Sequence, residues 1–394
     1  MKETNVKKQK GVTLIALMIT IIVLLISAGV AINALAGENG ILKEGKQAAD
    51  DWKGAEDTEI GVIDGIYSEM EKASNLAGGN NKATSKTLEE KMVDANIQGD
   101  IESLVDVVDG VPIPKDFTVS EVVGENKKTT GLVVKDSNDN EFVWVPVKDL
   151  EPNGTIDGIN YNQKFGRRLF GMSYVLGGAT ATVNQYTESI AVAITESIEK
   201  YGGFYIARYE ASDENGKAAS KPGTTAWDCV EHSTATKACG KVYSADAKVS
   251  AHMVSGAEWD STLQWFKQTV PEFNNSDVAI GTNSTEWGNY KDISFKYGES
   301  LITKNSGVSI VTKTGEITGP LNRHMKNNIY DMAGNINEWT LEKYGTSGTN
   351  YAVRGGGWYT DYSGNAKQVA ARTMMYAGSD NYSGVGFRMA LYIK

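Results

Sequence analysis

The chain has 394 residues, 49 acidic against 39 basic side chains and a formal net charge of -10. That balance excludes nucleic acid as the main partner, because phosphate binding needs a basic surface. With 42 glycines, 7 prolines, 3 histidines and 2 cysteines, the composition fits a large, loop-rich domain with accessory segments and excludes a disulfide framework.

Lys2, Lys7, Lys8 and Lys10 precede a stretch from Gly11 to Gly37 that carries no charge. Its core, Val12–Leu35, spans roughly 36 Å as a helix, enough for a bilayer. The lysines favour a cytoplasmic N-terminus, with the rest of the chain outside. The apolar run is long and lacks an A-x-A exit, so a retained helix is preferred to a discarded secretory signal. Lys10-Gly11-Val12-Thr13-Leu14-Ile15 resembles a type IV prepilin leader. The resemblance implies cutting between Gly11 and Val12 by a prepilin peptidase, with the helix kept. The Glu that such leaders carry at the fifth mature position is Ala16 here, which argues against filament assembly.

The chain then divides into a leader (1–11), a transmembrane or pilin-like helix (12–36), a helical stem (37–74), a linker with short helices (75–110) and a large domain (111–394). In the stem, Ala48, Trp52, Ala55, Ile63, Ile66 and Met70 fall mostly at three- and four-residue steps. Gly54, Gly61 and Gly65 weaken that helix by up to about 1 kcal/mol each. A stalk and an ordinary amphipathic helix both fit. Asn75–Lys86 is rich in Gly, Asn and Ser and reads as a linker.

In the large domain, Thr130–Val134 and Glu141–Val147 predict a hairpin around an Asx turn at Asp136–Asp139. Thr187–Lys200 predicts a helix, leading into an apolar strand through Phe204, Ile206 and Tyr209. Ser255 with Glu258 forms a capping-box signal for a helix over Gly256–Lys267.

Three blocks close the chain: Asn328–Thr340 (NIYDMAGNINEWT), Val353–Trp358 (VRGGGW) and Val385–Met389 (VGFRM). In this order they resemble the core of the formylglycine-generating-enzyme/sulfatase-modifying-factor family. Phe142–Pro146, Gly202–Ala211 and His252–Asp260 resemble earlier blocks more loosely. The resemblance implies an α+β, C-type-lectin-like fold with short strands, few helices and much loop. It also implies a structural calcium ion held by the Asp331 and Glu338 carboxylates and the Gly334 and Ile336 carbonyls, a donor set that suits a hard cation. The plainer reading is a turn in which both acids cap local backbone.

The oxidase activity of that family needs a cysteine pair between the second and third blocks, where it binds copper. Here that interval, 359–384, contains no cysteine, and nothing in it replaces soft thiolate ligands. No copper and no catalysis are expected. A related branch uses a three-histidine iron site, but His232, His252 and His324 are scattered. Cys229 and Cys239 leave two readings open. One is a disulfide across a short loop, contributing about 3 kcal/mol; the other is a pair of unbonded thiols. A metal shared with His232 lacks a fourth ligand. Arg354, Arg372 and Arg388 lie on apolar strands and predict buried ion pairs.

Within 359–384 the residues change character. Tyr359, Asp361, Tyr362, Ser363 and Asn365 form one cluster; Tyr376, Ser379, Asp380, Asn381 and Tyr382 form another. Rigid amphipathic rings beside small polar groups are the alphabet of binding loops. The interval resembles the variable region of lectin-like proteins diversified by retroelements, although an ordinary polar loop pair reads similarly. The expectation is a non-catalytic binding protein at the cell surface. It would be membrane-anchored or pilin-like, secreted or pilus-associated, with these loops meeting an extracellular protein or glycan. The alternatives are an oxidase-type enzyme with an altered copper site and a minor structural pilin.

Overall fold

The computed structural model describes residues 86–394, apart from 157–158, 169–173, 177–178, 182–184, 246–247, 282–283, 285, 291–293, 298–299, 304–323, 346–348, 358–367 and 379–383. The expected leader with Gly11 and Val12, the apolar helix and the stem lie outside these residues. Among the described residues no helix is long and apolar enough to cross a membrane.

The described chain opens with helix α1, Leu88–Asp94, closed at its start by a capping box between Thr87 and Glu90. A hairpin of Leu104–Val108 and Val111–Pro114 follows. Two larger sheets then organise the domain. The first contains β1 (Thr118–Val119), β2 (Val133–Lys135), β3 (Glu141–Val145), β5 (Phe204–Ala207), β6 (Val249–Met253) and β11 (Met389–Ile393), in the order β6-β11-β5-β3-β2-β1. The second contains β4 (Tyr186–Thr187), β7 (Asn337–Tyr344), β8 (Asn350–Arg354) and β9 (Thr373–Tyr376), in that order, with β10 (Val385–Phe387) also paired to β7. All pairings in these sheets are antiparallel except β7 with β10.

The first sheet is buried on both faces, which explains why β3 and β5 read as unbroken apolar runs. Side chains alternate sides along a strand. Val143, Val145, Phe204 and Ile206 enter one core with Trp259, Leu263 and Phe266 of α4 (Gly256–Thr269). Phe142, Trp144, Tyr205 and Ala207 enter another with Ala235, Ala238 and Cys239 of α3 (His232–Gly240). Trp259 and Trp339 are fully buried, one in each core; truncating such a ring to Ala costs about 3–5 kcal/mol.

The expected hairpin forms, with Val133 opposite Val143 and Lys135 opposite Glu141. Asp136 Oδ1 accepts from the backbone of Asn138 and Asn140, both at 2.8 Å, completing the Asx turn. The capping box of α4 also forms: Ser255 Oγ accepts from Glu258 N at 3.1 Å, and Glu258 Oε2 accepts from Ser255 N at 2.8 Å. The helix expected from Thr187 starts later, as α2 (Val192–Tyr201), because Tyr186 and Thr187 pair with Tyr344 and Lys343. Gly202 ends it in the left-handed region, accepting a φ of 87°.

No disulfide joins Cys229 to Cys239. Helix α3 directs Cys239 into the second core, while Cys229 sits exposed in the loop before it. Burial pushes the Cys239 thiol well above its ordinary range.

Candidate functional site

Strand β7 is the spine of the site. Glu338 pairs with Arg354 of β8 on one side and with Gly386 of β10 on the other. Gly357, just after β8, and Gly384, just before β10, are thereby brought to the same end of β7, where the Gly384 carbonyl accepts from Asn337 N at 2.8 Å. The interval 359–384 therefore leaves from and returns to one end of the sheet. Strand β9 lies within it and runs along β8, with Thr373 opposite Val353 and Tyr376 opposite Asn350.

The three arginines are buried and paired, as their apolar neighbours predict. Arg354 Nη2 and Arg372 Nη2 both donate to Asp260 of α4. Arg372 Nε donates to both oxygens of Glu342 at 2.8 Å, and Arg354 Nη1 and Arg167 Nη1 approach the same carboxylate at 3.4 and 3.2 Å. Burial pushes the Asp260 carboxyl up, but Arg354 and Arg372 prevail and hold it below its ordinary range. Glu188 accepts from Gly256 N at 2.6 Å and Ala257 N at 3.0 Å at the start of α4. Burial, then the Glu342 charge, push its carboxyl up to about 8.

A second cluster surrounds Arg388, the single residue between β10 and β11. Its Nε and Nη2 donate to Glu338 at 2.7–3.2 Å, and its remaining donors reach the Ala207 and Tyr330 carbonyls. Glu210 is fully buried beside it, accepting from Asn335 Nδ2 and Ile336 N. Burial, with Asp331 and Glu338 nearby, pushes the Glu210 carboxyl well above its ordinary range.

Asp331, Gly334, Ile336 and Glu338 lie in this second cluster. Gly334 has a φ of 91° and its missing Cβ leaves room for the Asn289 backbone. Asp331 Oδ1 accepts from Asn289 Nδ2 at 3.2 Å. Both Glu338 oxygens are taken by Arg388. Among the described residues no group of three or more His, Cys, Asp or Glu side chains is arranged to hold a metal ion. As placed, these residues fit a salt bridge and a tight turn better than a calcium shell.

Of the expected contact residues, Tyr376 is described: it ends β9 and is 51% exposed. Tyr359, Asp361, Tyr362, Ser363, Asn365, Ser379, Asp380, Asn381 and Tyr382 lie outside the described residues. Val369 and Ala370 are buried in a turn ahead of β9. The histidines are apart. His252 Nε2 meets Glu258 at 2.8 and 3.0 Å. His232 stacks on Tyr351 at 3.5 Å, and burial lowers it to about 4.

Sequence reading missed the acids that hold the arginines: Glu210, Asp260 and Glu342. The available signal was an acid inside an otherwise apolar segment, as Glu210 is after Phe204–Ala207. A polar cavity beside β10, lined by Ser212, Asp213, Thr224, Thr225, Trp227 and Asp228 among others, was missed as well.

The model of the sulfatase-modifying factor enzyme 1-like domain matches residues 162–393, more than half of the chain. The chain belongs to this family. Among solved structures, one titled Treponema denticola variable protein 1 aligns at 13% identity, covering 70% of this chain and 98% of that one, with a TM-score of 0.34. One titled crystal structure of CarF aligns at 14% identity, covering 49% and 87%, with a TM-score of 0.31. Both likenesses are remote. No curated protein matches the chain.

Proposed function

We propose that this chain is a non-catalytic binding protein displayed at the cell surface, with the interval 359–384 as its contact region. The observation that carries the reading is the framework around that interval. Arg354 before it, Arg372 within it and Arg388 after it are all locked in buried ion pairs. A member of this family built for oxidation needs thiols between these anchors; this one has Tyr, Ser, Asn and Asp instead. Rigid ends and polar, aromatic contents suit recognition, where ordering costs reduce affinity. The uncharged stretch 11–37 behind its lysines supports membrane anchoring with the domain outside.

The test replaces Tyr359, Tyr362, Tyr376 and Tyr382 together with Ser and compares both proteins on arrays of extracellular proteins and glycans. Loss of binding with unchanged circular dichroism is expected. A partner held equally by both proteins would remove the interval from the binding face.

A further inference from the structure

A cavity beside β10 lies apart from the two arginine clusters. It has a volume of about 410 Å³, within the range of about 300–1,000 Å³ usual for small-molecule sites. Its walls come from the hairpin Ser212–Glu214/Lys217–Ala219 and from residues 224–228. Both are fastened to β10. Trp227 N donates to the Ala211 carbonyl at 2.7 Å, and Ala211 N donates to the Phe387 carbonyl at 2.8 Å. Gly386 lacks the Cβ that would strike the Trp227 carbonyl. The Trp227 ring, half-buried, packs against Phe387 with centroids 5.6 Å apart.

The lining has a consistent character. Asp213 and Asp228 supply carboxylates, Thr225 a hydroxyl and Trp227 an indole; the Ser212 and Thr224 hydroxyls donate to the Ala219 and Lys221 carbonyls and keep only acceptor capacity. Among the described lining residues there is no Lys, Arg or His. Two carboxylates without a cation repel phosphates, sulfates and acidic sugars. They accept hydrogen bonds, so they suit a ligand rich in hydroxyl donors. An indole offers apolar area beside polar groups, which suits the C–H face of a sugar ring. Part of this capacity is engaged within the protein. Asp213 Oδ1 accepts from Gly216 N at 2.7 Å, and Asp228 Oδ2 accepts from Gly384 N at 3.2 Å. The second of these contacts ties the cavity to the last residue of the proposed contact interval.

We infer that the cavity formed by Ser212, Asp213, Thr224, Thr225, Trp227 and Asp228 is a subsite for a neutral saccharide, continuous with the end of the interval at Gly384. The inference rests on the reading of 359–384 as a binding region and names the ligand class on that side of it. No metal takes part. The carboxylates accept sugar hydroxyls directly, and Thr225, exposed at the rim, offers a further hydroxyl.

The experiment presents the purified full chain to a printed array of neutral, sulfated and sialylated saccharides and of aliphatic amines. The best neutral saccharide is then titrated calorimetrically into the wild type, Asp213→Asn, Asp228→Asn, Thr225→Ala and the four-tyrosine variant. Neutral saccharides are expected among the binders, weakened about tenfold by each Asp→Asn change, as for loss of a charge-assisted hydrogen bond. Cys229, exposed and adjacent to Asp228, gives a second readout. Bound saccharide slows its alkylation, while buried Cys239 stays silent. Preference for anionic saccharides or for amines, no saccharide binding, or affinity unchanged in both Asp variants would overturn the inference. Saccharide binding lost in the Asp variants but kept in the four-tyrosine variant upholds the subsite and sinks the interval; partner binding lost only in the four-tyrosine variant does the reverse.

Discussion

Around Asp260 and Glu342 the described residues supply three guanidinium groups, Arg167, Arg354 and Arg372, for two carboxylates. Around Glu338 they supply one, Arg388, for a group that also contains Glu210 and Asp331. Both clusters touch β7 and both are buried. In the first, the Asp260 carboxyl is held low by its arginines. The second satisfies its surplus acid by hydrogen bonds and by raising the Glu210 carboxyl. Burial of charge is tolerated when each ion is paired, and otherwise the group tends to neutralise. The two clusters should therefore respond in opposite directions to pH.

Removing Arg388, the one guanidinium that the described residues bring to the second cluster, should do the most damage. Arg388→Ala leaves Glu338 without its partner and should cost about 4–5 kcal/mol, read from the urea midpoint. Arg372→Ala should cost less, about 3 kcal/mol, because Arg354 still faces both acids. Equal losses would erase the distinction between the clusters. Ser255→Ala removes the cap of α4, the helix that carries Asp260, without touching either ion-pair set. A loss of about 1 kcal/mol is expected, and a much larger one would mean that helix placement, rather than charge count, decides the stability of the first cluster.

The smallest effect at neutral pH, and the sharpest in form, belongs to Glu210→Gln. Glu210 has a folded-state pKa raised above its unfolded value, so its contribution is present at acidic pH and is lost as pH rises through the folded value. Asp260 has the opposite sign: its contribution is present above the ordinary carboxylate range and is lost as pH falls through its depressed value. The Gln variant should stay within about 1 kcal/mol of wild type in mildly acidic buffer and keep stability in alkaline buffer that the wild type loses. Parallel melting curves across that range would refute the neutral-acid assignment.

The blocks around Arg354 and Arg388 disclosed the family, and the apolar strands around the arginines disclosed their ion pairs. The α4 cap was readable because Ser255 and Glu258 stand three apart, a local rule. What the residues could not disclose was long-range. Asp260 and Arg372 are brought together by the fold alone, as are Glu210 and Arg388. The Cys229–Cys239 pairing failed for the same reason: short separation says nothing about which face of α3 a side chain takes. The cavity escaped notice because the hairpin at 212–219 and the segment 224–228 look like ordinary turns until β10 is placed beneath them.

The placement of β11 also bears on how the domain forms. It lies between β5 and β6, with Ile206 opposite Ala390 and His252 opposite Ala390 on its other edge. Its predecessor β10 belongs to the other sheet, one residue away. A central seam thus waits on residues far along the chain, and closing such distant contacts is slow compared with local helix or hairpin formation. Until that seam closes, β5 and β6 lack a shared neighbour and present unpaired edges. Refolding should be limited by this late zippering, and a nascent chain would need shielding from other strands in the meantime.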